Sequence, residues 1–296
     1  MTTYNDLVND TVIALSGYTS RQDQATYLTQ DINETTTSFT VADGSIISRG
    51  IIEIDDELMW VDSFNRVNNT VTLAPYGRGF RSTTKAPHTS GTRVTISPSF
   101  PRDVVAREIN NAINGVYPDL FGTYYTTFQF IASRNTYVMP SEAIDALAVT
   151  WQTVGPTREW LPVLRWRMDK NANPGIFNTG KSISIYDGII PGRTVQVVYK
   201  KIPSTLLLPY DDFSVTGLPD SAKEVIILGA AYRAVSYLDV GRVPVQSTEV
   251  DQIDQQSPIG SGGTVTRALY ALYQQRLNIE VRRQQEQVPI RVHRTR

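Results

Sequence analysis

The stretch Gly50-Ile51-Ile52-Glu53-Ile54-Asp55-Asp56-Glu57-Leu58-Met59-Trp60-Val61 reads as a β-hairpin. Two apolar, β-branched runs flank three acidic residues, and short polar side chains between such runs mark a turn. The period-two pattern extends on both sides. Ser38–Val41, Gly50–Ile54, Leu58–Asn65, Thr70–Ala74 and Thr92–Ser97 are predicted strands, with Asp55-Asp56-Glu57 and Val67-Asn68-Asn69 as turns. They predict a small antiparallel, barrel-like β unit over 24–98. A long loop, Pro75 to Gly91, rich in Gly, Thr, Ser and Arg, separates its last two strands.

Outside this unit the period changes. Residues 4–16 place Leu7, Val8, Val12 and Leu15 on one helical face. Pro101 opens a second helix, since a first-turn proline loses no hydrogen bond, and Val105, Ile109, Ala112, Ile113 and Val116 keep helical spacing up to Tyr117-Pro118. A second β pattern follows: Tyr125–Ile131, Leu147–Val154, Glu159–Arg167, Ser182–Tyr186 and Thr194–Ile202. Its aromatic and β-branched content predicts a sandwich-like unit. Ser221 with Glu224 has capping-box form and starts a third helix to about Asp239. Residues 241–263 read as a linker. Val265–Gln287 reads as a fourth helix, with Leu269, Tyr273, Leu277 and Val281 four residues apart.

Short helices are marginal alone. The economical arrangement is an α+β protein. In it about four helices, from both chain ends and the middle, form one helical bundle with two inserted antiparallel β units. The expected segments are 1–23 (helix), 24–98 (first β insertion), 99–120 (helix), 121–205 (second β insertion), 206–287 (two helices and their linker) and 288–296 (a C-terminal arm).

Composition removes several classes of function. The 296 residues carry a net charge of −1, so no basic balance drives wholesale nucleic-acid binding. There is no cysteine, hence no disulfide, thiolate metal site or cysteine nucleophile. Only two histidines, His88 and His293, are available to metal or triad chemistry. No run is long and apolar enough to span a bilayer, and the N-terminus lacks a basic, then apolar, leader. The expectation is a soluble protein made in the cytoplasm, without membrane contact.

Candidate chemistry is sparse. Paired carboxylates at Asp55-Asp56-Glu57 and Asp211-Asp212 suit calcium or acid–base work, but they sit at predicted turns, where solvated acids are ordinary. Gly260-Ser261-Gly262-Gly263 precedes a helix without the strand and lysine of a phosphate loop, and reads as linker. His88 reads as a structural hydrogen-bonding residue, and no nucleophile-elbow motif accompanies it. No catalytic residue, metal ligand or cofactor site is assigned. In Trp160–Lys170, strand alternation sends Trp160, Leu164 and Trp166 to one face and Arg165 and Arg167 to the other. A half-buried strand explains this, with a sugar- or single-strand-binding face as the alternative. From Arg276 to Arg296 six arginines face Glu280 and Glu286. The alternating Val288-Pro289-Ile290-Arg291-Val292 suits either strand addition to another chain or a frayed tail.

The hairpin at 50–61, followed by Thr70-Val71-Thr72-Leu73, Gly77-Arg78-Gly79-Phe80 and Ala86-Pro87-His88-Thr89-Ser90-Gly91-Thr92-Arg93-Val94, resembles a pattern frequent in structural proteins of tailed bacteriophages. Phe80-Arg81-Ser82-Thr83 stands where a Gly-Thr pair often follows. With helices at both ends and a basic arm, the chain resembles the head–tail adaptor (connector, neck) proteins. The resemblance implies a non-enzymatic virion protein at the head–tail junction, assembled in the host cytoplasm. It implies a ring, usually of twelve copies, between the portal protein and the next neck or tail (nozzle or tube) protein. The ring lets genomic DNA pass without sequence specificity. It assigns portal docking to the arm: Val288, Pro289, Ile290, Arg291, Val292, His293, Arg294 and Arg296. Arg78, Gly79, Phe80 and Arg81 form a candidate interaction loop. The alternatives are a baseplate or tail/fibre-attachment protein, and a carbohydrate- or nucleic-acid-binding module.

Overall fold

The computed structural model describes residues 2–18, 22–154, 158–240 and 261–288. The helices among them are α1 (Tyr4–Ser16), α2 (Arg102–Gly115), α3 (Lys223–Val240) and α4 (Ser261–Gln287). The chain divides into two compact units. One comprises Met1–Tyr4, Asn110–Ile226 and Gln274–Arg296, the other Asn5–Ile109 and Ile227–Tyr273. The division falls inside each of the four helices.

In the second of these units, β1 (Gln24–Tyr27), β2 (Ser38–Thr40), β3 (Gly50–Ile54), β4 (Glu57–Asn65), β5 (Thr70–Leu73) and β6 (Arg93–Ile96) form one antiparallel sheet, in the order β1-β6-β3-β4-β5-β2. A bridge between Leu28 and Val41 joins the chain beyond β1 to that beyond β2, so the sheet closes on itself as a small barrel. Alternation places Ile52, Ile54, Met59, Val61, Val71, Leu73, Val94 and Ile96 inside, around Phe39. The hairpin β3–β4 pairs Ile54 with Glu57 around Asp55-Asp56, and Asp55 takes the left-handed conformation that closes a tight turn.

The other unit holds β7 (Gly122–Gln129), β8 (Thr136–Val138), β9 (Asp145–Gln152), β10 (Trp160–Pro162), β11 (Trp166–Asp169), β12 (Ser182–Ile185) and β13 (Thr194–Lys201). They form a four-stranded sheet, β10-β9-β13-β7, and a three-stranded sheet, β11-β12-β8. Ala146, Val149, Val195, Val197 and Tyr199 of the first share one core with Tyr137, Ile183 and Ile185 of the second, which is sandwich packing.

A central helical bundle is not borne out. The protein is α+β, but mostly β-sheet, with three antiparallel sheets and four helices among the described residues. The apolar periodicity of the helices marks a buried face on each, but not one common core that organises the fold. Each β unit instead has its own core of strand side chains. Between helices the contacts include rings as well as polar groups: Tyr232 of α3 lies 5.4 and 5.3 Å from Tyr270 and Tyr273 of α4, centroid to centroid. Arg102 of α2 donates to Asn5 and Asn9 of α1, and Arg276 of α4 pairs with Glu224 of α3 at 2.8 Å.

Three local expectations also change. The strand foreseen over Glu159–Arg167 is two strands, because the chain leaves one sheet for the other at the buried Val163. Asp187 holds the crossing by accepting the Leu164 and Arg165 amides at 2.6 and 3.0 Å. Trp160 and Leu164 are consequently exposed and Trp166 half-buried, so the alternating Trp face does not form. Ser221 lies in a 3-10 turn, Asp220–Ala222, and its hydroxyl donates to Glu280 at 2.6 Å instead of capping α3. Ser261, Gly262 and Gly263, read as linker, are the first turn of α4.

Candidate interaction loop and docking segment

The candidate interaction loop is built on a buried ion network. Glu57, the first residue of β4, is 1 % exposed. Its Oε1 accepts from Arg78 Nε at 2.7 Å and from the Gly79 amide at 2.9 Å. Its Oε2 accepts from Arg78 Nη2 at 2.8 Å and the Ala86 amide at 3.0 Å, and lies 3.0 Å from His88 Nε2. His88 Nδ1 lies 2.8 Å from Asp55 Oδ2. Arg78 also donates to the carbonyls of Asn33, Thr36 and Ala86. The loop from Pro75 to Gly91 is therefore clamped near both ends to the β3–β4 turn.

The electrostatics follow from this packing. Burial disfavours the Glu57 carboxylate, but hydrogen bonds from Arg78, His88 and the Ala86 and Gly79 amides outweigh it and hold its pKa at about 2. Burial likewise disfavours charge on His88, yet its bonds to Glu57 and Asp55 raise its pKa above the ordinary value. With a carboxylate beside each ring nitrogen, the protonated ring can donate both ways, which favours the charged form.

What the loop shows to solvent differs from the sequence expectation. Arg78 is buried and engaged inside, so it presents no guanidinium to a partner. Gly79 is left-handed at φ 62°, where a Cβ would meet the Thr83 carbonyl at 2.8 Å. Phe80 is half-buried against Trp60, with ring centroids 5.2 Å apart. Arg81 is exposed, as is Tyr76 at 95 %. Tyr76, Arg81 and Ser82 all have positive φ, a strain that the clamp sustains.

Beside the clamp, a cleft of about 350 Å³ is lined by Asn5, Asn9, Asp23, Glu53, Asp55, Asp56, Arg93 and Arg102, among others. Arg102 binds Asp56 at 2.7 Å, and its amide donates to buried Glu53 at 2.6 Å, which fixes the start of α2. Burial pushes the Glu53 pKa up to about 7 against that hydrogen bond. Among the described residues no group of three His, Asp or Glu is arranged to hold a metal ion. No helix among them is long and apolar enough to cross a membrane.

The docking segment begins where α4 ends. Glu280 is fully buried and accepts from Ser221 at 2.6 Å and Arg283 at 2.8 Å. Gln284, also buried, pairs with both backbone groups of Phe121 through its side-chain amide, at 3.2 and 2.7 Å. Arg276 and Arg283 are thus engaged within the protein rather than free for a partner. Of the arm, Val288 is described, its amide bonded to the Gln284 carbonyl at 2.9 Å. Pro289, Ile290, Arg291, Val292, His293, Arg294 and Arg296 lie outside the described residues.

The SU10 adaptor protein family model matches residues 90–293, from just after the clamp through α2, the sandwich and both C-terminal helices. The chain belongs to the SU10 adaptor protein family. It is a bacteriophage adaptor, a structural component of the virion. Among curated proteins none matches the chain. The family span includes α4 and most of the arm but starts beyond His88, so the Glu57–Arg78–His88 clamp lies outside it, in a barrel of which β6 alone falls within the span. Neither Glu57 nor Glu280 was singled out from sequence as an organising residue. The signal available for Glu57 was the pairing of an acidic hairpin with a distant Arg-Gly and Pro-His.

Proposed function

We propose that this chain is the head–tail adaptor of a tailed bacteriophage. Copies of it stand in a ring between the portal protein and the next neck or tail protein. The observation that carries this reading is the adaptor-family match over residues 90–293, which spans the sandwich, α3 and α4. A ring from one chain uses two different side surfaces per copy, closed by rotation, and repeated weak contacts around it add up by avidity. The net charge of −1 suits a channel through which DNA slides, because dense phosphate contacts would hold it. The arm from Val288 to Arg296 docks on the portal, and the clamped loop offers Tyr76, Phe80 and Arg81 to a neighbour. The chain performs no catalysis in this role.

The test is electron microscopy of intact particles labelled with gold-conjugated antibody against this chain. Label at the head–tail junction is expected. Label at the distal tail would replace this reading with a baseplate role, and absence from both intact and disrupted particles would remove it.

A further inference from the structure

The two edges of the four-stranded sheet are treated very differently. The edge at β10 is closed to pairing. Thr153 donates to the Glu159 carbonyl and Val163 to that of Val149, so odd-numbered residues there face β9. The outward-facing residues are Trp160, Pro162 and Leu164. Pro162 has no amide hydrogen, and the Leu164 amide is taken by Asp187. Such devices keep a sheet edge from pairing with other chains.

The edge at β7 has none of them. This strand of eight residues, Gly122-Thr123-Tyr124-Tyr125-Thr126-Thr127-Phe128-Gln129, contains no charge and no proline, and its register with β13 is unbroken. Phe130 donates to the Arg193 carbonyl and accepts from the Gly192 amide, so even-numbered residues face β13 and odd-numbered ones face away. Both ends of the outward edge are capped. Thr123 donates to the Gly217 carbonyl, and the Tyr137 hydroxyl accepts from the Ile131 amide at 2.8 Å. Between the caps, the peptide groups of Tyr125, Thr127 and Gln129 have no partner among the described residues, and all three side chains are exposed.

This window is complementary to itself. Set antiparallel about a two-fold axis at Thr127, Tyr125 of one copy faces Gln129 of the other and Thr127 faces Thr127. Every outward amide and carbonyl then finds a partner, and no like charges meet. No other edge among the described residues fits as well. The barrel sheet closes through Leu28 and Val41. The outward edges of the three-stranded sheet are shorter, Thr136 with Val138 and Trp166 with Met168, and the Thr136 carbonyl already accepts from Arg134 Nε at 2.7 Å. We propose that β7 is a pairing edge for a second copy of this chain, joining two four-stranded sheets into one. The pair is closed by its two-fold axis, so it is distinct from a cyclic ring and does not rest on the adaptor reading.

The chain has no cysteine, which makes the register testable by cross-linking. Across a hydrogen-bonded antiparallel pair the Cα atoms are about 5.5 Å apart, within disulfide reach. In this register two copies of position 125 lie about 14 Å apart along the strands, beyond it. Under mild oxidation Thr127→Cys should form a covalent dimer. Tyr125→Cys and Gln129→Cys should do so only when mixed. Equal cross-linking of each single variant with itself overturns the register. Sedimentation of the unsubstituted chain should show a dimer at high concentration. Thr127→Lys, an exposed substitution that sets two lysines face to face, should abolish that dimer with the circular dichroism spectrum unchanged. A chain that remains monomeric at its solubility limit, or an oligomer indifferent to Thr127→Lys, overturns the proposal.

Discussion

Glu57 and Arg78 form a buried, two-pronged ion pair, Nε to Oε1 at 2.7 Å and Nη2 to Oε2 at 2.8 Å, with side chains 1 % and 3 % exposed. The pair joins residues 21 apart and holds the long loop to the hairpin. Because both charges are desolvated, removing one strands the other. Arg78→Met should destabilise the barrel unit by about 3–5 kcal/mol. It should also speed amide hydrogen exchange at Gly79 and Ala86, whose N–H groups bond to Glu57. Unchanged exchange at both positions would mean that the pair does not organise the loop.

The same network sets a pH window. The His88 pKa is raised, so its contribution is complete below the ordinary histidine value and fades as pH climbs through the raised one. The Glu57 pKa is depressed to about 2, so its contribution is complete above the ordinary carboxylate value of 4.5 and fades as pH falls toward 2. The loop should therefore resist proteolytic nicking best in mildly acidic solution. His88→Gln should remove the loss of protection on the alkaline side and leave the acid side in place. A nicking rate independent of pH in the unsubstituted chain contradicts this.

Glu53 has the opposite sign to Glu57. Burial raises its pKa from 4.5 to about 7, so the folded state holds the proton more tightly. Its favourable linkage is complete below pH 4.5 and lost as pH rises through 7. Glu53→Gln keeps an oxygen for the Arg102 amide and removes the buried charge. It should stabilise the barrel at pH 8 by on the order of 1–2 kcal/mol and flatten the stability profile between 5 and 8. Urea unfolding at several pH values reads this directly, and a loss of stability at pH 8 would show that the charge is accommodated.

Arg81 lies at the exposed tip of the clamped loop, in a left-handed conformation. Arg81→Glu should leave the melting temperature within a degree or two, since surface changes of this kind are worth about 0.5 kcal/mol or less. If the loop meets a neighbour, the same change should lower incorporation into particles several-fold. Normal incorporation would remove the loop from the set of contact surfaces.

Deleting residues 288–296 should leave folding intact, because Gln284 and Glu280 anchor α4 upstream of the cut. It should abolish attachment to the portal in a pull-down with portal rings. Undiminished attachment assigns docking to another segment.

Local chemistry made much of the fold legible. β3 spans Gly50–Ile54, as the alternation gives, and the periodic face of α2, Val105, Ile109, Ala112 and Ile113, is wholly buried, as is Val116 just beyond the helix. What sequence reading missed depends on distant partners. β1, Gln24–Tyr27, is four residues of weak pattern and owes its identity to pairing with β6. Glu57 looks like a solvated turn acid until Arg78 and His88, 21 and 31 residues away, are folded onto it. Ser221 has the spacing of a helix cap, but Glu280, 59 residues on, claims its hydroxyl. The helical bundle failed for a related reason: helical periodicity reveals which face is buried, not what covers it.

A cryo-electron-microscopy reconstruction of the neck would locate this chain in the particle. A closed ring between portal and tail is expected, each copy showing a six-stranded barrel and a two-sheet sandwich. A junction fully occupied by other proteins, with this chain at the tail tip or missing, would contradict it.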